Sequence, residues 1–279
     1  LQYAAYAFGH NMYCRFYQGV SLEALSLETK RSLEFSKTRH NQWAIDLFTG
    51  GLKIFDALSA PKEQNATEKI LKDADYLSDV DAHHNIQVKC IYKVLKTFSL
   101  VMLGQYRAAL TVSDETEPII YTTGTQGLLP WPEHVFARVL VLARLYTQEE
   151  TPVQKKWLDE IKAGINKLRI WTKYCTENFE HKYFLATAEL NRIEGNTDAA
   201  LQNYYKAADA AQENEFLQWE GVANERIYDF WFELKNYHLA FHYWKQAYIC
   251  YQEWGATAKL KLMEKDYVNY LKTSISEVE

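Results

Sequence analysis

The chain has 279 residues, 48% of them apolar and 24% charged, with a net charge of −5. That length fits one large domain or two ordinary ones, and 8 Trp, 20 Tyr and 13 Phe exclude a disordered chain. With 11 Gly and 5 Pro there are too few turn residues for an all-β fold, and the acidic balance without a basic stripe speaks against nucleic-acid or anionic-membrane binding.

Apolar residues recur at spacings of three and four almost throughout, which predicts an all-α chain of about thirteen helices. The first runs over 3–18 and stops at Gly19. Ser21 offers an N-cap oxygen for a helix over 21–38. A third covers 42–58 and ends before Pro61. Helices over 66–78, 85–103 and 106–120 follow. The segment 121–132, with Gly124, Gly127, Pro130 and Pro132, is the clear long loop. A helix over 133–147 comes next. Thr151-Pro152, a cap and a proline at the first helical position, opens a long helix to about residue 176. The last five helices are placed at 178–194, 198–213, 215–234, 237–254 and 256–272. No run of about 20 apolar residues predicts a membrane-spanning helix. Cys14, Cys90, Cys175 and Cys250 form no CxxC pair and read as small buried hydrophobes, as expected in a reducing cytoplasm. The opening at Leu1, without Met or a signal-like segment, fits a piece of a longer protein.

An internal repeat organises the chain. Gly104-Gln-Tyr-Arg-Ala-Ala109-Leu110, Gly195-Asn-Thr-Asp-Ala-Ala200-Leu201 and Lys235-Asn-Tyr-His-Leu-Ala240-Phe241 align. In the last two an aromatic follows four residues after the Ala (Tyr204, Trp244), and another Ala three later (Ala207, Ala247). Small residues let two antiparallel helices approach, and the aromatic fills the wider gap one turn on. The pattern resembles the tetratricopeptide repeat. It departs in two ways: Ala200 and Ala240 are 40 residues apart rather than 34, and Ser113 and Thr116 replace the aromatic and second Ala of the first unit. The resemblance implies a tetratricopeptide-like right-handed superhelix of antiparallel helix pairs. One continuous domain would span 1–279, with degenerate repeats over 1–130 and long-helix repeats over 131–279.

A second resemblance is carried by Tyr251-Gln-Glu-Trp254-Gly255-Ala256-Thr-Ala258-Lys259 with Leu262, Glu264 and Tyr267. It is supported by Phe16-Tyr17-Gln18-Gly19-Val20-Ser21-Leu22-Glu23 and by Leu103-Gly104-Gln105-Tyr106. These segments are similar to the helical repeat region of large signalling proteins. There a STAND-type P-loop ATPase precedes the repeats, and GAF, histidine-kinase or cyclase domains follow, often with a Ser/Thr kinase at the start. The resemblance implies a non-catalytic, cytoplasmic interaction and relay module. Its partners would be proteins or peptides, including other domains of the same polypeptide. Locally, Gly255 can take the left-handed conformation that ends a helix, Ala256 and Ala258 allow a close crossing, and Trp254 covers it.

The chemistry-bearing motifs are sparse. GxxxxGK[ST], GxSxG and HExxH are absent, so the chain holds no P-loop and no catalytic signature. Gly124-Thr-Gln-Gly127 reads as a loop. His238 and His242 share a helix face at metal-compatible spacing but lack further ligands, and His83-His84 reads as a solvated helix start beside Asp79 and Asp81. Carboxylate pairs such as Glu149-Glu150 and Glu213 with Glu215 lie at helix ends, without the cleft that acid–base work requires. The aromatic-rich run from Tyr228 to Trp254 has only Lys235 and Lys245 among its rings and reads as core. No cofactor or metal is expected. The remaining candidate is the inner face of the array. Alignment places Lys182, Glu189 and Arg192 of one unit and Glu225, Asp229 and Phe232 of the next on that face, where they could clamp a peptide. A free-standing peptide-binding adaptor and the repeat region of a transcriptional activator are the alternative readings.

Overall fold

One turn geometry recurs along the chain and sets its architecture. A residue with left-handed backbone ends one helix, and the next residue sends its N–H back to the carbonyl five positions earlier, as Asn196 does to Asn191 (2.8 Å), Asn236 to Trp231 (2.9 Å) and Phe216 to Ala211 (2.8 Å). This bond satisfies a carbonyl that the helix end would otherwise leave open. The left-handed position is a glycine at 19, 104, 195 and 255, but a side-chain-bearing residue at His40, His84, Glu215 and Lys235.

The computed structural model describes the backbone of residues 2–60 and 65–276 and the side chains of 3–60 and 65–267. Its helices are α1 (Gln2–Gln18), α2 (Leu22–Thr38), α3 (Gln42–Leu58), α4 (Ala66–Leu71), α5 (Ala74–Ala82), α6 (Ile86–Met102) and α7 (Tyr106–Thr122). They continue as α8 (Pro130–Leu145), α9 (Thr151–Tyr174), α10 (Thr176–Ile193), α11 (Thr197–Glu213), α12 (Leu217–Glu233), α13 (Tyr237–Trp254) and α14 (Thr257–Ser276). No strand occurs among the described residues, so the fold is all-α.

The differences from the expected helices have local causes. The helix expected over 66–78 is broken at Lys72-Asp73, where buried Asp73 takes an ion pair from Lys96 (2.7 Å) instead of continuing the helix. The long loop shrinks, because α7 runs to Thr122 and α8 begins at Pro130, whose missing N–H is tolerated in a first turn. The segment 124–127 is a single 3₁₀ turn entered through left-handed Gly124. Ser21 occupies the N-cap of α2 without a side-chain bond, and α9 is capped at Glu150 rather than Thr151. Cys90 and Cys250 are buried, but Cys14 is exposed and Cys175 half-buried, so two of the four are not core residues.

Consecutive helices pack as hairpins, α2 on α3, α6 on α7, α8 on α9, α10 on α11 and α12 on α13, and α14 lies on α13 and touches α3. The small–aromatic–small motif is at these contacts: Ala200, Tyr204, Ala207, Ala240 and Ala247 are buried. In the first unit Ser113 and Thr116 are fully buried as well, and the space of the missing aromatic admits Arg138, which donates to Ser113 Oγ (3.1 Å).

The two ends of the array meet. Phe98 of α6 has its ring centroid 5.0 Å from Phe16 and 5.9 Å from Tyr17 of α1. It also lies 5.0 Å from Trp219 of α12 and 6.1 Å from Trp254 at the end of α13. Phe136 of α8 adds a contact to Trp219 at 4.7 Å. Most of these pairs are edge-to-face, the arrangement ring quadrupoles favour. Gly19 makes the closure of α1 on α12 possible. Its φ is +87°, and a Cβ there would collide with the Gln218 side chain, whose amide donates to the Tyr17 carbonyl. The centre of the array is thus filled by the chain's own side chains.

Gly195 (φ +78°) has no atom within 4 Å of where a Cβ would sit, so Gly195→Ala tests the backbone alone. It is expected to cost about 1–2 kcal/mol, while Lys235→Gly, relieving the same strain at φ +58°, gains about 0.5–1 kcal/mol. Urea unfolding of both variants, read as shifts of the midpoint in opposite directions, checks this.

Candidate functional site

The structure shows where each predicted residue goes. Lys182 of α10 and Glu133 of α8 form an ion pair in which both side chains are 1% exposed. Glu189, also 1% exposed, accepts from Arg192 (2.8 Å) and from the Tyr204 hydroxyl (3.0 Å), and lies 3.4 Å from Arg226. Arg226 continues to Asp229 (3.0 Å) and to the hydroxyl of Tyr106 (2.6 Å) on α7. Glu225 is held by Lys259 (2.7 Å) and the Tyr251 hydroxyl (2.7 Å). Arg192 also reaches the Ala143 carbonyl (2.9 Å) on α8. Phe232 packs on Tyr228 and Tyr237 at ring distances of 5.6 and 5.7 Å.

The predicted residues therefore join into connected internal networks. Glu189, Arg192 and Asp229 belong to one network along α10 and α12, with Arg226 at its centre, and Glu225 to a second group with Lys259 and Tyr251. Lys182 belongs to a separate pair, and Phe232 to an aromatic cluster. Burial alone would raise the Glu189 carboxyl, but Arg192, Arg226 and Arg144 together hold it below its ordinary range. Burial likewise opposes ionisation of Glu225, and Lys259 and Arg226 overcome it. For Glu133 the balance tips the other way. Desolvation raises its carboxyl above the usual range, and Lys182 offsets that only in part.

The sequence did not point to Glu133, Tyr17 or Arg226, because each becomes functional-looking only when distant helices meet. Around the Glu133–Lys182 pair lies a recess of about 230 Å³, lined by Cys14, Tyr17 and Gln18 of α1, Leu129 and Glu133 at the start of α8, Asn178 and Lys182 of α10, and Phe216 before α12. Two lining atoms are buried without a hydrogen-bond partner: Glu133 Oε2 and Tyr17 Oη. The Lys182 ammonium sits 5.4 Å from the ring centroid of Phe179 and 5.5 Å from that of Phe216. Beside the recess, His181 is fully buried, stacks on Phe216 at 4.2 Å, and has neither ring nitrogen bonded.

His83 and His84 are exposed, as expected, but do not start a helix. They close α5 at its C-terminal end, and His83 Nδ1 lies 3.0 Å from buried Asp46 of α3. His238 and His242 are exposed on α13. Among the described residues no group of three or more His, Cys, Asp or Glu side chains is arranged to hold a metal ion, and no helix is long and apolar enough to cross a membrane. Protein-family models, curated proteins and solved structures give no match to this chain.

Burial, with a smaller push from Lys182, lowers the His181 pKa well below its ordinary 6.5. The native ring stays neutral while the unfolded ring binds a proton below pH 6.5, so the unfolded state takes up more protons and stability falls as pH drops. The stabilisation is complete above pH 6.5 and is lost below it at up to about 1.4 kcal/mol per pH unit. His181→Phe removes this slope while keeping an aromatic on Phe216. Urea unfolding at pH 7.0 and 5.5 is expected to show a larger loss for the wild type than for the variant, and equal losses would contradict it.

Proposed function

We propose that the chain is a non-catalytic interaction and relay module, a tetratricopeptide-like array that works between a regulatory P-loop ATPase and an output domain in a cytoplasmic signalling protein. The observation that supports this is the shared aromatic cluster. The end of the first helix (Phe16, Tyr17) and the turn before the last one (Trp254) rest on the same ring, Phe98. A partner that displaces α1 must repack that cluster, and the repacking reaches α14 through one contact rather than through every intervening hairpin. The likeness of 251–267 and 16–23 to the repeat region of STAND-type signalling proteins gives the setting. Other domains of the same polypeptide are the natural partners in it.

The adaptor alternative needs inner-face charges free to hold a peptide. Lys182 and Glu189 are each 1% exposed and already ion-paired, which favours the relay reading at those positions.

Immunoprecipitation of the endogenous polypeptide with an antibody to this segment tests the proposal. A species far larger than 32.6 kDa that hydrolyses ATP is expected. A species near 32.6 kDa, or a larger one without nucleotide hydrolysis, would overturn it.

A further inference from the structure

Among the described residues several buried side chains have polar atoms without a partner, but His181 alone is an imidazole with both nitrogens unbonded. The difference matters because an imidazole gains a charge near neutral pH and an indole or a phenol does not. His134, the other histidine of the core, is bonded through Nε2 to Glu117. The ring of His181 is 1% exposed and lies 4.2 Å from that of Phe216, the residue that precedes α12. A neutral ring can be buried there. An imidazolium would need two acceptors, and neither is present.

The charged groups on the surrounding elements do not relieve this. On α10 the next residue is Lys182, whose ammonium opposes a second positive charge, while Glu177 and Glu180 keep contact with water. Glu133 of α8 is taken up by Lys182. On α1 the Tyr17 hydroxyl and the Cys14 thiol are held above their ordinary range by desolvation and stay protonated, and Arg15 pairs with Glu28. Lys206 of α11 sits over the ring of Phe184, and Lys173 of α9 over that of Tyr174. Glu220 of α12 accepts from Gln212 (3.4 Å), and Glu213 and Glu215 are exposed. A proton on His181 is therefore met only if the ring reaches water.

The elements that must yield are two weak helix starts. The N-cap of α10 is Cys175 and that of α12 is Phe216, and neither side chain has an oxygen to bond the open N–H groups. Phe216 also follows Glu215, a residue with a side chain held at φ +61°. His181 is in the early part of α10 (Thr176–Ile193), so opening about two turns frees its ring. Uncapped helix ends open at lower cost than the interior of a packed helix. The α12 start in turn holds α1. Phe216 lines the same recess as Tyr17 and Gln18, and two residues further on the Gln218 amide donates to the Tyr17 carbonyl.

We propose that His181 is an acid-operated latch on α1: when its ring takes up a proton, the starts of α10 and α12 open together and the hold of Gln218 on Tyr17 is released. The closed form excludes the proton, and the open form binds it with the ordinary pKa of 6.5. The opening constant is therefore flat above pH 6.5 and rises by up to about tenfold for each pH unit below it. Between pH 7.5 and 5.5 the rise is about tenfold. The latch is a property of this chain and stands whether or not the relay reading does.

Amide hydrogen exchange of the whole chain at pH 7.5 and 5.5, read by peptide mass spectrometry and corrected for intrinsic exchange, tests the latch. Peptides within 10–20, 176–185 and 214–222 are expected to share one opening constant, about tenfold or more above that of α6 (86–102) at pH 7.5. At pH 5.5 that shared constant is expected to be about tenfold higher than at pH 7.5. His181→Phe keeps a ring on Phe216 and should remove the rise in all three segments. Gln218→Leu removes the amide but leaves His181 and both helix starts in place. It should speed exchange of 10–20 at pH 7.5, while 176–185 keeps its rise. The wild-type profile can refute the latch without either variant: it fails if the three segments open no more readily than α6, or if 10–20 does not follow the other two. It also fails if His181→Phe retains the rise or if Gln218→Leu leaves 10–20 as protected as before.

Discussion

The constraint on which the rest of the molecule depends is the ring of Phe98, against which α1, α12 and α13 are all packed. A stack of helical hairpins has no intrinsic reason to fold back on itself, because each hairpin needs only its neighbours. Here large aromatic side chains on the inner face remove the space that an open groove would occupy. Removing one such ring from a filled core costs about 3–5 kcal/mol, a large part of a domain's total stability. Gly19 is what lets the chain come this close, since a side chain there would strike Gln218.

Once the centre is filled, charged residues on the inner face lose contact with water and must find partners inside. This accounts for the ion pair of Glu189 with Arg226, which would be unremarked on an exposed surface, where such pairs contribute about 0–1 kcal/mol. Within the core, truncating one member of such a pair costs far more than the pair gained. At the Glu133–Lys182 pair charge is balanced, but Glu133 Oε2 is left without a hydrogen-bond partner, as are both ring nitrogens of neighbouring His181.

The all-α class was legible because helical spacing persists over nearly the whole chain, and the Gly104, Gly195 and Lys235-Asn236 turns were visible in the repeat. Breaks near His40, His84 and Glu215 were expected as well, but not their left-handed backbone, because a left-handed residue with a side chain leaves no mark in composition. The break at Asp73 was hidden for another reason. Its cause is Lys96, a residue 23 positions away. Lys182, Glu189, Arg192, Glu225 and Asp229 lie on α10 and α12, yet sequence could not show that their charges are paired within the chain. The packing partners Trp219, which the sequence did not single out, and Trp254, read as the cover of a helix crossing, share the neighbour Phe98. Glu133 was invisible because it lies 49 residues from Lys182, in a segment read as the first turn of an unremarkable helix.

The meeting of the two ends has a mechanical consequence. An open array of hairpins behaves under tension like a spring, extending by small rotations at every turn. This molecule is built as a clasp. A pull on α1 against α14 is borne by the contact of Phe16, Phe98 and Trp254 together with α3, on which both helices pack. Such a closed joint resists extension until its packed rings separate.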